Sequence, residues 1–174
     1  MKLRLALLTA ILALTCAMRG NEIPNFKQKN LQKKNVELYQ LLEKGPVLLD
    51  FWATWCKPCL KAFPKLNALH EKYGDKGLTI LGINEDSNRN QTKIKPFVKS
   101  LNIQFDVVFD ANNALMRRFQ VSNLPATILI SPDRKIISKN FGYSPNKFKQ
   151  LEKQIISLLE EYNAKKIEVE NDSN

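Results

Sequence analysis

A chain of 174 residues is long enough for one domain with short appendages, and its 44% hydrophobic and 25% charged residues are typical of a soluble globular protein. The formal net charge is +10, from 27 lysines and arginines against 17 acidic residues. These basic residues are scattered, without the arginine-rich or aromatic-interleaved runs that follow a phosphate backbone, so the pattern argues against nucleic-acid binding. A basic surface is instead compatible with acidic protein partners or an anionic membrane face.

Residues 1–17 are predicted to be an export signal. A short positive start precedes an uncharged apolar stretch that is too short for a comfortable membrane span, which needs about 20 residues. Cys16 lies where a bacterial lipoprotein signal places its acylated cysteine, although Thr15 replaces the usual small residue before it. Cleavage after Ala17 would instead remove Cys16, and retention as an uncleaved anchor is a third alternative. Each alternative places the rest of the chain outside the cytoplasm.

Once Cys16 is removed or acylated, Cys56 and Cys59 are the cysteines that remain for the folded domain. Exported proteins of this size use disulfides between distant cysteines as structural staples. This pair closes a loop so short that it constrains little of the unfolded chain. The C-x-x-C spacing at a strand-to-helix junction therefore predicts reversible dithiol/disulfide chemistry.

The first half of the remaining chain predicts a lead-in followed by alternating helices and strands. Residues 18–35 are polar and lysine-rich, and we expect an extended lead-in. A helical period runs from Val36 to Lys44 and stops at the breaker pair Gly45-Pro46. The next predicted elements are a strand over Val47–Trp52 that is buried on both faces, a helix from Cys56 to about Tyr73 with a kink at Pro64, and a strand over Leu78–Ile83.

The second half predicts the other elements of one α/β domain over residues 36–163. They are a helix around Lys95–Leu101, a strand over Gln104–Phe109, a short helix capped by Asp110, antiparallel strands over Ala126–Ile130 and Ile136–Phe141, and a last helix from Pro145. Residues 164–174 are charged and are predicted to be a flexible tail. This order predicts a mixed central sheet with helices on both faces.

The residues around the cysteine pair predict a division of roles. Cys56 is expected to be the exposed nucleophile, because the helix dipole, unpaired backbone N–H groups and the neighbouring Lys57 all favour its thiolate. Cys59 is expected to be the resolving thiol that displaces substrate from a mixed disulfide with Cys56. Asp50 is a lone carboxyl in an apolar strand, so burial should raise its pKa and let it accept the proton of Cys59. The alternative for Asp50 is a core carboxyl satisfied by backbone donors.

Three motifs carry a resemblance to the thioredoxin-like superfamily: Phe51–Cys59, Pro64 five residues beyond the second cysteine, and Leu124–Thr127. Over about Ile23–Tyr162 the chain resembles the exported thiol-disulfide oxidoreductases of TlpA/ResA type. The resemblance implies a thioredoxin fold with a TlpA-type insertion between the second and third core strands.

Two positions depart from the pattern of that group. Ala62 stands where TlpA/ResA-type proteins commonly have an acidic residue, which argues against a narrow assignment to cytochrome c maturation. Asp50 stands where the exported group often has Asn and where thioredoxin has a buried aspartate. The resemblance therefore implies thioredoxin-like proton handling on an exported-type scaffold.

The resemblance also implies a substrate-binding surface around the cysteines. Pro125 matches the family's cis-proline facing the dithiol and would expose the main chain of Leu124 to an extended substrate strand. Trp55 is expected on the apolar rim, beside Lys57 and Pro58. Because Lys-Pro between the cysteines resembles reductant-like members, we expect a monomeric reductase of exported disulfide proteins that uses no cofactor. It would be periplasmic, or membrane-anchored facing the periplasm, and would depend on a membrane-borne electron donor.

Three other functions fit part of the pattern. A thiol peroxidase of peroxiredoxin type shares the fold, but its pattern expects one peroxidatic cysteine with an upstream Pro and Thr and a distant Arg. A zinc module would need a second Cys or His pair, so no metal is expected. A redox-inert binding or chaperone module stays open. Trp52 and His70 are expected to pack rather than to catalyse.

Overall fold

A five-stranded mixed sheet forms the centre of the fold in the computed structural model, which describes residues 23–110 and 112–172. A short hairpin of β1 (Lys27–Lys29) and β2 (Asn35–Glu37) precedes it. The sheet contains β3 (Val47–Trp52), β4 (Thr79–Asn84), β5 (Asp106–Phe109), β6 (Ala126–Ile130) and β7 (Ile136–Phe141). Its strand order is β5-β4-β3-β6-β7, with β3, β4 and β5 parallel and β6 and β7 antiparallel to their neighbours. The predicted mixed sheet is confirmed.

Helices cover both faces of this sheet. They are α1 (Leu38–Leu42), α2 (Lys57–Tyr73), α3 (Gln91–Ser100), α4 (Ala114–Arg118) and α5 (Pro145–Asp172). Every residue of the central strand β3 is buried, because alternate side chains enter two different cores. Leu48 and Trp52 pack with α2, α3 and α5, whereas Val47, Leu49 and Phe51 pack with α1 and α4.

The described part of the lead-in is folded onto the domain rather than simply extended. Ile23 and Phe26 are buried in the core on the α1 and α4 face. Asn30 forms an antiparallel bridge with Val108 of β5, and the N–H of Leu31 donates to the carbonyl of Val107 at 3.0 Å. This pairing covers an edge strand that would otherwise offer free backbone groups.

Two predicted boundaries move in the structure. The helix predicted from Val36 begins at Leu38, because Val36 pairs with Gln28 in the β1–β2 hairpin. The predicted flexible tail is wrong for residues 164–172, since α5 continues through Asp172. These turns contain strong helix formers, and the Glu161–Lys165 pair, 2.6 Å between Oε1 and Nζ, supports them at i,i+4 spacing.

The short helix α4 begins as predicted from a cap by Asp110. The Asp110 carboxylate accepts the backbone N–H groups of Ala114, Leu115 and Met116 at 3.0, 2.7 and 3.1 Å. The segment between β4 and β5, where an insertion is expected, carries α3.

The predicted export signal and Cys16 lie outside the described residues. Among the helices that the structure describes, none is both long and apolar enough to cross a membrane.

Candidate active site

A disulfide joins Cys56 and Cys59 at the junction between β3 and α2, with the two Cα atoms 5.3 Å apart. Cys56 is the N-cap of α2, and its backbone is extended, with φ −85° and ψ 90°. Its carbonyl accepts the N–H of Cys59 at 2.9 Å, which begins the helix. The sulfur of Cys56 therefore lies at the positive end of a 17-residue helix whose first turn contains no acidic residue.

The surroundings of the disulfide are exposed, but the two cysteines are not. Cys56 is 4% and Cys59 1% exposed, since both side chains belong to the apolar cluster beneath α2. Cys56 is the more accessible of the pair, although far less exposed than predicted in this disulfide form. Trp55 is 66% exposed, and Lys57 and Pro58 are exposed beside it, so the predicted rim is present.

Asp50 lies in the core on the face of the sheet that α2 covers. The side chain is 1% exposed, and its Oδ1 has no hydrogen-bond partner. Burial raises the pKa of Asp50 to about 7. The structure therefore does not support the alternative for Asp50, in which backbone donors satisfy both oxygens of the carboxyl.

Asp50 and Pro125 line the same narrow cavity, together with Ala62 of α2. Because Cys59 precedes Ala62 by three residues on α2, both lie on one side of that helix. The fold thus brings Pro125, which is more than 60 residues away in sequence, next to the buried carboxyl and the helix face that carries Cys59.

The peptide bond between Leu124 and Pro125 is cis, as the resemblance implies. Pro125 is buried and its carbonyl accepts the N–H of Gly142 at 2.8 Å, while Leu124 is half-buried before β6. Trp52 is fully buried, and the half-buried His70 packs its ring against Phe105 with centroids 6.3 Å apart. Both are packing residues, as predicted.

Gly82 of β4 is directly opposite Asp50 in the sheet. A Cβ at this position would lie 3.1 Å from the indole nitrogen of Trp52 and 3.1 Å from a methyl carbon of Val107. The glycine therefore allows the Trp52 ring to pack close to the backbone of β4, and it leaves no side chain beside Asp50 from that strand.

A buried polar network holds the loop before Cys56. The carboxylate of Asp86 accepts the backbone N–H of Thr54 at 2.8 Å and its hydroxyl at 2.6 Å. Asn84 donates to the same carboxylate at 2.8 Å, and Asp86 is fully buried. These residues were missed in the reasoning from sequence. The sequence does contain a signal for them, because polar residues directly follow the buried strand β4, which lies beside the strand that precedes Cys56.

A second buried carboxyl follows in the same segment. Glu85 is 5% exposed, and its backbone N–H donates to the carbonyl of Trp52 at 2.8 Å. Burial, together with the adjacent negative charge of Asp110, raises the pKa of Glu85 to about 9. Glu85 and Asp110 follow neighbouring parallel strands, so the carboxyl edge of the sheet holds a protonated carboxyl near the cysteine loop.

Known proteins share this arrangement and much of its sequence. Residues 19–139 match the AhpC/TSA family. Thiol-disulfide oxidoreductase ResA of Bacillus cereus is 39% identical over 123 residues, which cover 71% of this chain and 69% of that protein. ResA of Bacillus subtilis is 35% identical over 118 residues, covering 68% of this chain and 64% of that protein.

The fold is also similar to that of solved structures. A crystal structure of a thiol:disulfide interchange protein DsbE from Chlorobium tepidum superposes with a TM-score of 0.74 at 30% identity, covering 80% of this chain and 96% of that one. Three findings support the same assignment. The family model matches more than half of the chain, the relatives are more than 30% identical to it, and Cys56 and Cys59 form a disulfide. The chain belongs to the AhpC/TSA family of thioredoxin-like proteins and is a protein-disulfide oxidoreductase.

Proposed function

We propose that this protein reduces disulfide bonds of exported proteins, with Cys56 as nucleophile, Cys59 as resolving thiol and Asp50 as the base for Cys59. The observation that carries the proposal is the Cys56–Cys59 disulfide at the start of α2, on the helix side that covers a buried, unpartnered carboxyl. The helix N-terminus and Lys57 favour the thiolate of Cys56.

The reaction transfers two electrons from the dithiol to the substrate. The Cys56 thiolate attacks one substrate sulfur, the substrate S–S bond breaks, and a mixed disulfide forms as the first substrate thiolate leaves. Cys59 then gives its proton to Asp50 and attacks the Cys56 sulfur. The Cys56–Cys59 bond forms, and the second substrate thiolate leaves. With a pKa of about 7, Asp50 is ionised in a large fraction of molecules at neutral pH and can accept that proton.

Trp55, Pro58 and the main chain of Leu124 are proposed to bind an extended segment of the substrate. The exposed indole of Trp55 and the half-buried Leu124 support this arrangement. Lys57 and Pro58 between the cysteines support reduction rather than oxidation. A membrane-borne donor is proposed to return two electrons to the disulfide, since an oxidising compartment supplies none.

The N-terminal sequence supports a proposal for where the protein acts. We propose that residues 1–17 direct export and that the domain acts in the periplasm, either free or anchored through an acylated Cys16. Mass spectrometry of the mature N-terminus tests this. A lipid on Cys16 shows the anchor, a chain beginning at Met18 shows simple cleavage, and a cytoplasmic protein that still begins at Met1 contradicts export.

Two cysteine variants and a measurement of the reduction potential of the Cys56–Cys59 pair test the mechanism. Cys56→Ser should abolish reduction of a peptide disulfide, and Cys59→Ser should accumulate a mixed disulfide at Cys56, visible by mass spectrometry. A reduction potential near about −270 mV supports a reductant, whereas a value near about −120 mV contradicts the proposed direction. Peroxide consumption that survives Cys59→Ser would favour a peroxidase, and holdase activity unchanged in Cys56→Ser would favour a redox-inert module.

A further inference from the structure

A row of polar side chains crosses three strands beneath α5. Asp50 of β3 is paired with Thr127 of β6, and Thr127 is paired with Asn140 of β7. Residues directly opposite on neighbouring antiparallel strands place their side chains on the same face, with Cβ atoms about 5 Å apart. The row therefore leads from the buried carboxyl towards the edge of the sheet, through a face whose buried residues are mostly apolar.

This row borders a narrow cavity of about 10 Å³, which is at the lower end of what one water molecule requires. The residues around it are Asp50, Ala62, Pro125, Thr127, Asn140, Gly142, Lys147, Phe148 and Leu151. Asp50 and Thr127 are 1% and 7% exposed, whereas Asn140 is half-buried and Lys147 is exposed. The lining therefore includes both a buried carboxyl, one oxygen of which has no hydrogen-bond partner, and residues at or near solvent.

The charged groups around Asp50 are few. Among the described residues that line the cavity, Lys147 is the one other ionisable side chain, and its Nζ donates to the carbonyl of Phe141 at 2.5 Å. On the α2 side the titratable groups of this core are Cys59, the N-cap Cys56 and the buried Tyr73, whose hydroxyl donates to Glu152 at 2.8 Å, and β4 contributes only Gly82 beside Asp50. The neutral Thr127 and Asn140 are consequently the groups able to hold a water molecule between Asp50 and solvent.

We propose that the proton that Asp50 takes from Cys59 leaves the core through this cavity, by way of one water molecule held by Thr127 and Asn140, to solvent beside Lys147. The inference rests on the proposed role of Asp50 as base. In this step the carboxyl O–H bond breaks and leaves its electron pair on the carboxylate. The water gains that proton and releases another to solvent, and no atom changes its oxidation state. Thr127 and Asn140 act as positioning residues.

The test measures the two halves of the reaction separately in the reduced full-length chain. Rapid mixing with a peptide disulfide gives the rate of mixed-disulfide formation at Cys56 and the rate of its resolution by Cys59. Thr127→Val keeps the shape of the side chain but removes the hydroxyl. At pH 6, below the Asp50 pKa of about 7, most Asp50 starts protonated and must release its proton by this route before it can accept that of Cys59. We therefore expect Thr127→Val to slow resolution at pH 6 roughly tenfold with a larger solvent deuterium isotope effect, and to leave formation unchanged.

Two variants serve as matched controls. Thr127→Ser restores the hydroxyl and should recover the normal rate of resolution. Ser138→Ala removes a hydroxyl from the same face of β7, two residues before Asn140 and outside the cavity, and should change neither rate. If Thr127→Val does not fold, Asn140→Leu at the half-buried end of the row is expected to give the same selective slowing.

Asp50→Asn separates failure of this route from failure of the proposed function. If Asp50→Asn slows resolution while Thr127→Val and Asn140→Leu do not, the route is overturned and the base role of Asp50 stands. If Asp50→Asn leaves resolution at its normal rate, the base role fails and the route fails with it. Equal slowing of formation and resolution in Thr127→Val would show a merely structural role and would also overturn the route.

Discussion

Asp50 combines two properties that rarely occur together, complete burial and an oxygen without a hydrogen-bond partner. A carboxyl in such a place destabilises the folded state once it ionises, because it gives up hydration without gaining a compensating bond. Retention of this carboxyl in the central strand therefore favours a chemical role over a structural one.

The stability of the disulfide form should depend on pH through Asp50. In the unfolded chain this carboxyl loses its proton near its ordinary pKa of 3.8, whereas in the folded chain it keeps the proton up to about pH 7. Between these values the folded state binds more protons, so the free energy of unfolding falls as pH rises. Asp50→Asn removes this dependence and should be more stable than the parent by about 2–4 kcal/mol at pH 8.

Urea unfolding of both proteins at pH 4 and pH 8 measures this effect. The advantage of Asp50→Asn should be small at pH 4 and should grow towards pH 8. Asp75→Asn, at an exposed position after α2, is the control and should show no such growth. An advantage of the same size at both pH values would show that Asp50 titrates normally in the folded state.

At the scale of elements, the lead-in is part of the domain core. Phe26 is 5% exposed, its ring lies 6.1 Å from that of Phe119 in an edge-to-face arrangement, and its carbonyl accepts the N–H of Leu38 at 3.1 Å. The hydroxyl of Tyr39 donates to the carbonyl of Ile23 at 2.8 Å. The segment before β1 is thereby attached to both α1 and α4.

Phe26→Ala should lower the free energy of unfolding by about 3–5 kcal/mol, because it leaves a cavity between the lead-in and α4. Urea denaturation measures the loss, and Lys29→Ala at an exposed position of β1 should change stability little. A loss below about 1 kcal/mol would mean that the lead-in contributes little to the folded core.

The elements also show where local pattern was sufficient and where it was not. The boundaries of α2 and β6 follow from the helical stripe after Cys56 and from the apolar run after Pro125, both of which are local signals. The hairpin over Lys27–Glu37 carries no comparable pattern, and its bridge from Asn30 to Val108 joins residues 78 positions apart, which no local pattern indicates. The last turns of α5 were predicted as a tail, since their composition is charged and their apolar residues stay exposed.

At the scale of the whole molecule, the excess of basic residues has a local consequence at the active site. Lys57, Lys61 and Lys65 are all exposed and recur every four residues along α2, so they form one positive row that begins beside Cys56. Together with a formal net charge of +10, this row should attract acidic substrates to the dithiol.

Reduction of an acidic peptide disulfide should therefore show a kcat/KM that falls several-fold as ionic strength rises, because salt screens exposed charges. A neutral peptide disulfide should be much less sensitive. Lys57→Gln should reduce the salt dependence for the acidic peptide, whereas Lys166→Gln at an exposed position of α5 should not. Equal salt dependence for both peptides would contradict electrostatic attraction by this surface.

The chemistry of this protein was already determined by short-range information: two cysteines with C-x-x-C spacing, a strand before them, a helix after them, and Leu-Pro before another strand. Such signals lie within a few residues, so local spacing and periodicity are enough to recognise them. Other features depend on contacts between residues 13 to 77 positions apart: the pairing of Asp50 with Thr127, the pairing of Thr127 with Asn140, and the hydrogen bonds of Asp86 to Thr54. The unpartnered oxygen of Asp50 likewise depends on its surroundings in the folded chain. Strand order and register create those contacts, and because neither is encoded in any single segment, they became visible only in the folded chain.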